Sequence, residues 1–138
     1  MRKRFSSARQ AARLLGYRSG LEEKIANILV ERSADFSYES EKISYVIPAS
    51  DHKYSPDFRI VRPNGSILFI ETKGIFNADD RKKHLLIKQQ HPELDIRILF
   101  QNANTKISKG SKTTYGEWCD KHGFIYASKD IPANWLVE

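Results

Sequence analysis

Two acidic residues and one lysine are spaced so that they could act on a substrate together. Asp57 precedes a short apolar segment, whereas Glu71 and Lys73 directly follow the apolar run 67–70. Because side chains alternate between the two faces of a strand, Glu71 and Lys73 are predicted to project from the same face. An unpaired carboxylate or ammonium is costly at the end of a buried strand, so a compensating partner or ligand is expected there.

A tight turn is predicted to bring Asp57 to the same end of the sheet. The Pro-Asn-Gly sequence at 63–65 is typical of a turn between two antiparallel strands. In simple antiparallel register, Asp57 lies about opposite residue 72. The sequence therefore predicts that Asp57 converges with Glu71 and Lys73.

Two carboxylates beside a lysine suit a hard divalent cation. Mg²⁺ prefers oxygen ligands, keeps several waters, and is usually held by one or two carboxylates together with substrate phosphate. Such an ion lowers the pKa of a bound water, while the lysine orients or deprotonates that water and offsets phosphate charge. The pattern predicts metal-assisted phosphodiester hydrolysis. Taken singly, Asp57 could instead cap a loop after proline, and Glu71 and Lys73 could form a structural ion pair.

Sequence patterns predict a mixed α/β sandwich, in which helices and strands alternate around one sheet. An S-x-x-E sequence at Ser19 and Glu22 predicts a helix start, and Thr114 and Glu117 repeat this capping pattern. Helices are predicted at about 20–33, at 79–90 and between Thr114 and Gly123. Extended segments are predicted at 36–47, 56–61, 66–73, 95–100 and 124–127, and a mobile basic loop at 102–114.

Length and composition indicate one globular domain. The chain has 138 residues, of which 40% are hydrophobic, and no apolar run approaches the roughly 20 residues needed to cross a bilayer. A membrane span is therefore not expected. The single cysteine, Cys119, cannot form an internal disulfide and is expected to be a small buried hydrophobe. This fits a reducing compartment, and we expect a cytoplasmic protein.

The net charge of +6 is concentrated in an N-terminal arm, residues 1–17, and the residue that follows it. The first 18 residues contain six basic and no acidic side chains, whereas the rest of the chain has 17 of each. This arrangement favours DNA, RNA or an acidic surface as a partner, although a frayed soluble terminus could have the same composition. The candidate DNA-binding residues are Arg2, Lys3, Arg4, Arg9, Arg13 and Arg18 in this basic segment, and the cluster Arg81, Lys82 and Lys83.

The Pro56-Asp57 and Glu71-x-Lys73 sequences resemble the PD-(D/E)xK signature of restriction-endonuclease-like nucleases. The surrounding sequence resembles the phage endonuclease I family from about residue 17 to residue 136. The segments that carry this resemblance are 17–22, 45–50, 54–58, 71–74, 79–87 and 91–97.

The resemblance implies a nuclease that resolves four-way (Holliday) junctions and other branched DNA. It implies a restriction-endonuclease-like mixed sheet flanked by helices, a homodimer, and Mg²⁺ or Mn²⁺ as the cofactor. The products would carry 5′-phosphates and 3′-hydroxyls, and the enzyme would act in the host cytoplasm. A non-catalytic DNA-binding module and a sequence-specific nuclease of the same fold are the alternatives.

The resemblance also assigns roles to individual residues. It implies that Glu22, Asp57, Glu71 and Lys73 are catalytic. It implies that Glu22, Asp57 and Glu71 ligate the metal together with the backbone carbonyl of Thr72. For Glu22 the sequence alone favours a helix-capping role instead.

Subunit exchange is a further implication of the resemblance. Residues 45–51 would form a bridge between subunits within the nuclease domain, residues 18–138. Glu22 of one chain would then join Asp57, Glu71 and Lys73 of the other. One departure concerns Ser37, which stands where the family has an acid linked to the site; Asp35 or Glu39 could take that role.

Overall fold

The computed structural model describes residues 20–47 and 50–138. The predicted basic segment, together with Ser19 of the predicted cap, lies outside the described residues. In chain order the elements are α1 (Gly20–Glu31), β1 (Asp35–Tyr38), β2 (Ile43–Ile47), β3 (Ser50–Tyr54), β4 (Phe58–Val61), β5 (Ile67–Lys73), α2 (Ala78–Gln90), β6 (Asp95–Phe100), α3 (Tyr115–His122), β7 (Tyr126–Ser128) and a final 3-10 turn (Ala133–Leu136).

Five strands form one mixed sheet, which confirms the predicted α/β class. Their order is β1-β4-β5-β6-β7, with β1, β4 and β5 antiparallel and β5, β6 and β7 parallel. Strands β2 and β3 form a separate antiparallel pair. At the start of β6, Asp95 pairs with the buried Arg62 and Arg97, which holds together the end of the sheet away from Lys73.

Strand β5 is covered on both faces, as its apolar sequence predicts. Leu68 and Ile70 pack with α1, whereas Phe69 packs with the β2–β3 pair and with Ile87 of α2. Helix α3 covers the neighbouring part of the second face through Trp118. Residues of α1 can therefore contact one face of the end of β5, and residues of α2 and β3 can contact the other face.

Most predicted elements are present with bounds within two or three residues. The capping pattern at Thr114 and Glu117 begins α3, and Gly123 ends it in the left-handed conformation with φ 75°. Helix α2 has a second capping box, in which Asn77 accepts a hydrogen bond from the Asp80 amide. Local chemistry thus sets the ends of both helices.

The predicted extended segment 36–47 is wrong as a single element. It divides into β1 and β2, which belong to different sheets, and Glu39 between them has a φ of 49°. The left-handed conformation breaks the extended path, so the chain leaves the main sheet after Tyr38. Strand β3 follows as an unpredicted partner of β2.

The hairpin register differs by one residue from the prediction. Phe58 pairs with Ile70, which places Asp57 opposite Glu71 rather than residue 72. Arg62 donates its amide to the Ser66 carbonyl at 2.9 Å, so three residues rather than two close the turn. Gly65, with φ 86°, supplies the left-handed residue that such a turn requires.

The proposed bridge 45–51 lies in the β2–β3 region. In this one chain, Ile47 pairs with Ser50, and residues 48 and 49 are outside the described part. None of the helices in the described ranges has the length and apolar character needed to span a membrane.

Candidate active site

The buried carboxylate of Asp57 is fixed against the end of β5. Its Oδ2 accepts hydrogen bonds from the Thr72 amide at 2.9 Å and from Thr72 Oγ1 at 2.7 Å. Burial raises the pKa of Asp57 to about 6, against the lowering effect of the Thr72 hydrogen bonds and with a further increase from Glu22. The aspartate is therefore oriented by β5 but held in surroundings that disfavour its charge.

Glu71 and Lys73 lie on one face of β5, as strand alternation predicts. Lys73 Nζ is 3.8 Å from Glu71 Oε1 and 3.3 Å from Asp80 Oδ1 of α2. Tyr54 at the end of β3 donates its hydroxyl to Glu71 Oε2 at 2.5 Å. Burial raises the pKa of Glu71 to about 8, Asp57 raises it further, and Lys73 and Tyr54 oppose this increase.

Glu22 of α1 reaches the other side of the same strand end. It is buried and accepts a hydrogen bond from the Tyr38 hydroxyl at 2.7 Å. Carboxylate oxygens of Glu22, Glu39 and Asp57 all lie within 4.8 Å of one another. The first helix thus supplies a carboxylate to the predicted centre within a single chain.

The predicted residues line one open cavity of about 610 Å³. Its lining residues are Gly20, Leu21, Glu22, Lys24, Asp57, Glu71, Thr72, Lys73, Gly74 and Gln101. The carboxylates that converge there are hard oxygen donors, and their mutual repulsion is relieved when a cation lies between them. The donor set therefore fits a hard divalent cation such as Mg²⁺ or Mn²⁺.

Ser37 occupies the position where the family resemblance places an additional acid. Ser37 is buried, and its hydroxyl is hydrogen-bonded to the Ser40 hydroxyl. Of the two acids considered in its place, Glu39 belongs to the carboxylate group described above. Asp35 instead lies at the far end of β1, opposite Val61.

The basic cluster of α2 divides into three environments. Arg81 donates to the carbonyls of Phe76 and Ile107, at 2.7 and 3.2 Å. Lys82 is exposed, whereas Lys83 Nζ lies 5.4 Å from the centre of the Tyr54 ring. A role in DNA binding remains a prediction for all three, and for the basic residues outside the described ranges.

Three supporting residues were missed by the sequence analysis. Tyr38 contacts Glu22, Tyr54 contacts Glu71, and Asp80 contacts Lys73. Asp80 could have been found from the Asn77-x-x-Asp80 capping pattern, which places it on the first turn of α2. The two tyrosines come from separate elements, and no local spacing links them to the carboxylates.

Comparison with known proteins gives a consistent assignment. A model of the family described as phage endonuclease I matches residues 3–138. The chain is 57% identical over 122 residues to endonuclease I of Escherichia phage T7, covering 88% of this chain and 79% of that protein. It is also 57% identical over 122 residues to endodeoxyribonuclease 1 of Enterobacteria phage T3, covering 88% and 78% of the two chains. The chain belongs to the phage endonuclease I family.

Proposed function

We propose that this protein is a metal-dependent endonuclease that resolves four-way DNA junctions by phosphodiester hydrolysis. The observation that carries the proposal is the meeting of Glu22, Asp57, Glu71 and Lys73 around one cavity. Membership of the phage endonuclease I family, whose relatives are named as DNA-cleaving enzymes, supports the same conclusion. We assign the mixed sheet and its flanking helices to the restriction-endonuclease-like fold.

Glu22, Asp57 and Glu71 would hold Mg²⁺ or Mn²⁺ together with the Thr72 carbonyl. The bound ion would lower the pKa of a coordinated water and offset charge on the phosphate. Thr72 holds Asp57 in place through two hydrogen bonds, and Tyr54 holds Glu71 through one. The carboxylates are therefore oriented before the substrate binds, which reduces the reorganisation needed during the reaction.

Lys73 provides the positive charge beside these carboxylates. Asp80 and Glu71 hold its ammonium at the end of β5, where it can orient the attacking water or contact a phosphate oxygen. Water attacks the phosphorus, and the bond to the 3′-oxygen breaks. The 3′-oxygen takes up a proton, which leaves a 3′-hydroxyl and a 5′-phosphate.

The proposed organisation is a basic arm of residues 1–17 followed by a nuclease domain of residues 18–138. Two nuclease domains would form a homodimer, whose paired binding surfaces select branched DNA, and the arm would contact the phosphate backbone. The proposed location is the host cytoplasm, where phage DNA junctions arise.

Subunit exchange would place the contact between Glu22 and Asp57 across the dimer. In this arrangement residues 45–51 pass to the partner instead of closing the β2–β3 pair within one chain. Co-expressed Glu22→Ala and Asp57→Ala subunits would then form heterodimers with one intact site, and they would nick junctions. If each site is built within one chain, the mixture stays as inactive as either variant alone, which would contradict the exchange.

The proposed function is tested by incubating the protein with a four-way junction and with a linear duplex of matched sequence. We expect the junction to be cut in the presence of Mg²⁺, little cutting of the duplex, and none with EDTA. Equal cutting of both DNAs would contradict junction selectivity, and binding without cutting would indicate a non-catalytic module. End labelling of the products tests for 5′-phosphates and 3′-hydroxyls.

A further inference from the structure

The segment of residues 101–114, called here the basic loop, leaves the main sheet at the candidate active site. Its first residue, Gln101, donates its amide to the Lys73 carbonyl at 2.9 Å and lines the site cavity. The loop contains Lys106, Lys109 and Lys112 and no acidic residue. All three lysines are exposed. A polyanion that contacts this loop would therefore meet three lysines and no carboxylate of the loop itself.

Hydrogen bonds close the basic loop, which includes the segment 102–114 that the sequence predicts to be mobile. Ile107 donates its amide to the Thr113 carbonyl at 2.9 Å, and Tyr115 donates to the Thr105 carbonyl at 2.8 Å. Lys106 also forms a β-bridge with Thr114. These contacts pair the two halves of the loop with each other, so the backbone that carries the lysines is fixed by hydrogen bonds.

Arg81 connects the basic loop to α2. One nitrogen of its guanidinium, Nη1, donates both to the Phe76 carbonyl just before α2 and to the Ile107 carbonyl in the loop. The side chain is half-buried, in contrast to the exposed neighbouring Lys82. Arginine can bridge two acceptors in this way because its guanidinium carries several donors in a fixed plane.

We infer that the basic loop contacts DNA phosphates next to the cleavage site, and that Arg81 is the positioning residue that holds it there. The inference rests on the proposed function and adds a binding surface separate from the N-terminal basic segment. Lys109 and Lys112 supply the phosphate contacts. Arg81 acts through the loop, although the sequence places it with the direct DNA-binding residues.

The test is the salt dependence of junction binding, measured in EDTA to prevent cleavage. Each phosphate contact contributes about 0.9 to the slope of log affinity against log salt on duplex DNA. The double variant Lys109→Gln with Lys112→Gln should therefore lower the slope by about 2. Lys121→Gln, an exposed change on α3, is the control and should leave the slope unchanged.

Arg81→Gln distinguishes positioning from direct contact. Although it removes one charge, it should lower the slope by more than about 0.9, because the whole loop is displaced. Combined with the loop variant, it should add little further loss. A loss of about 0.9 or less that adds fully to the loop variant would show direct phosphate contact and overturn the positioning role. Circular dichroism of each variant verifies that it is folded.

An unchanged slope in the loop variant would refute the loop as a DNA surface, provided that wild-type protein binds and cuts the junction. If wild-type protein neither binds nor cuts it, the proposed function fails instead. The two failures are therefore distinguishable in the same set of measurements.

Discussion

Replacement of Glu71 by glutamine is expected to stabilise the metal-free protein at neutral and alkaline pH. Burial raises the pKa of Glu71 to about 8, from an ordinary value of 4.5. Between these two values the folded state keeps a proton that the unfolded state has lost. Stability from this group is therefore present below pH 4.5 and is lost as the pH rises towards 8. Glutamine has no proton to lose, so Glu71→Gln removes this penalty.

The magnitude follows from the size of the pKa shift. Each pKa unit corresponds to about 1.4 kcal/mol, which gives an upper limit of about 4–5 kcal/mol at pH 8. The pKa of about 8 already includes the attraction between Glu71 and Lys73, whose charged atoms are 3.8 Å apart, but burying the glutamine amide in place of the carboxyl group offsets part of the gain. We therefore expect a net gain of about 1–3 kcal/mol at pH 8, or about 3–10 °C in melting temperature. At pH 5 the gain should be below about 1 kcal/mol, because the carboxyl group of the unfolded state is then still partly protonated.

The assay is thermal or urea unfolding in EDTA from pH 5 to pH 8.5. Glu23→Gln, an exposed change on α1, is the control and should follow the wild-type pH dependence. Adding Mg²⁺ at pH 8 should stabilise wild-type protein more than Glu71→Gln, because the variant has lost a ligand. A variant that is less stable than wild type at pH 8, or a gain that is equal at pH 5 and pH 8, would refute the reasoning.

Three further predictions concern other parts of the protein. Deleting residues 2–13 should weaken junction binding at moderate salt and lower the slope of log affinity against log salt by several units at most. The preference for junction over duplex should change little, and an unchanged slope would mean that this segment does not touch DNA. Tyr54→Phe should raise the Mg²⁺ concentration needed for half-maximal cleavage, because the hydroxyl that orients Glu71 is lost; an unchanged metal titration would exclude this role. Asp95→Ala should lower the free energy of unfolding by about 2–3 kcal/mol, because the buried Arg62 and Arg97 lose the nearer of their two carboxylate partners and keep only Glu138. Cleavage by the folded fraction should stay at the wild-type rate, and equal stability in urea unfolding would contradict this prediction.

Much of the candidate site could be predicted because its residues are close in sequence and lie on regular elements. Strand alternation places Glu71 and Lys73 on one face, and the Pro-Asn-Gly turn returns the chain to Asp57. The one-residue error in register arose because the length of the turn depends on how Arg62 and Ser66 pair. The sequence therefore predicts the presence of a turn more reliably than it predicts which residues pair across that turn.

The parts that could not be predicted depend on contacts between distant elements. Strand β3 has four exposed residues followed by the buried Tyr54, so it lacks the alternation that identifies a strand. Its pairing with β2 is what brings the Tyr54 hydroxyl to Glu71. A single hydroxyl that reaches across from another element has no periodic signature. The contact of Arg81 with the basic loop could not be predicted either, because a run of basic residues does not show which of them is half-buried.

The most direct test of the proposed active site is single-turnover cleavage of a four-way junction by Lys73→Ala and Glu71→Gln, with junction binding measured alongside. Both variants should lose at least about 10²-fold in cleavage rate, because Lys73→Ala removes the charge beside the phosphate and Glu71→Gln removes a metal ligand. Junction binding should stay within about tenfold of wild type, since most phosphate contacts lie elsewhere. Cleavage at the wild-type rate by either variant, with excess enzyme and Mg²⁺, would contradict the assignment of these residues.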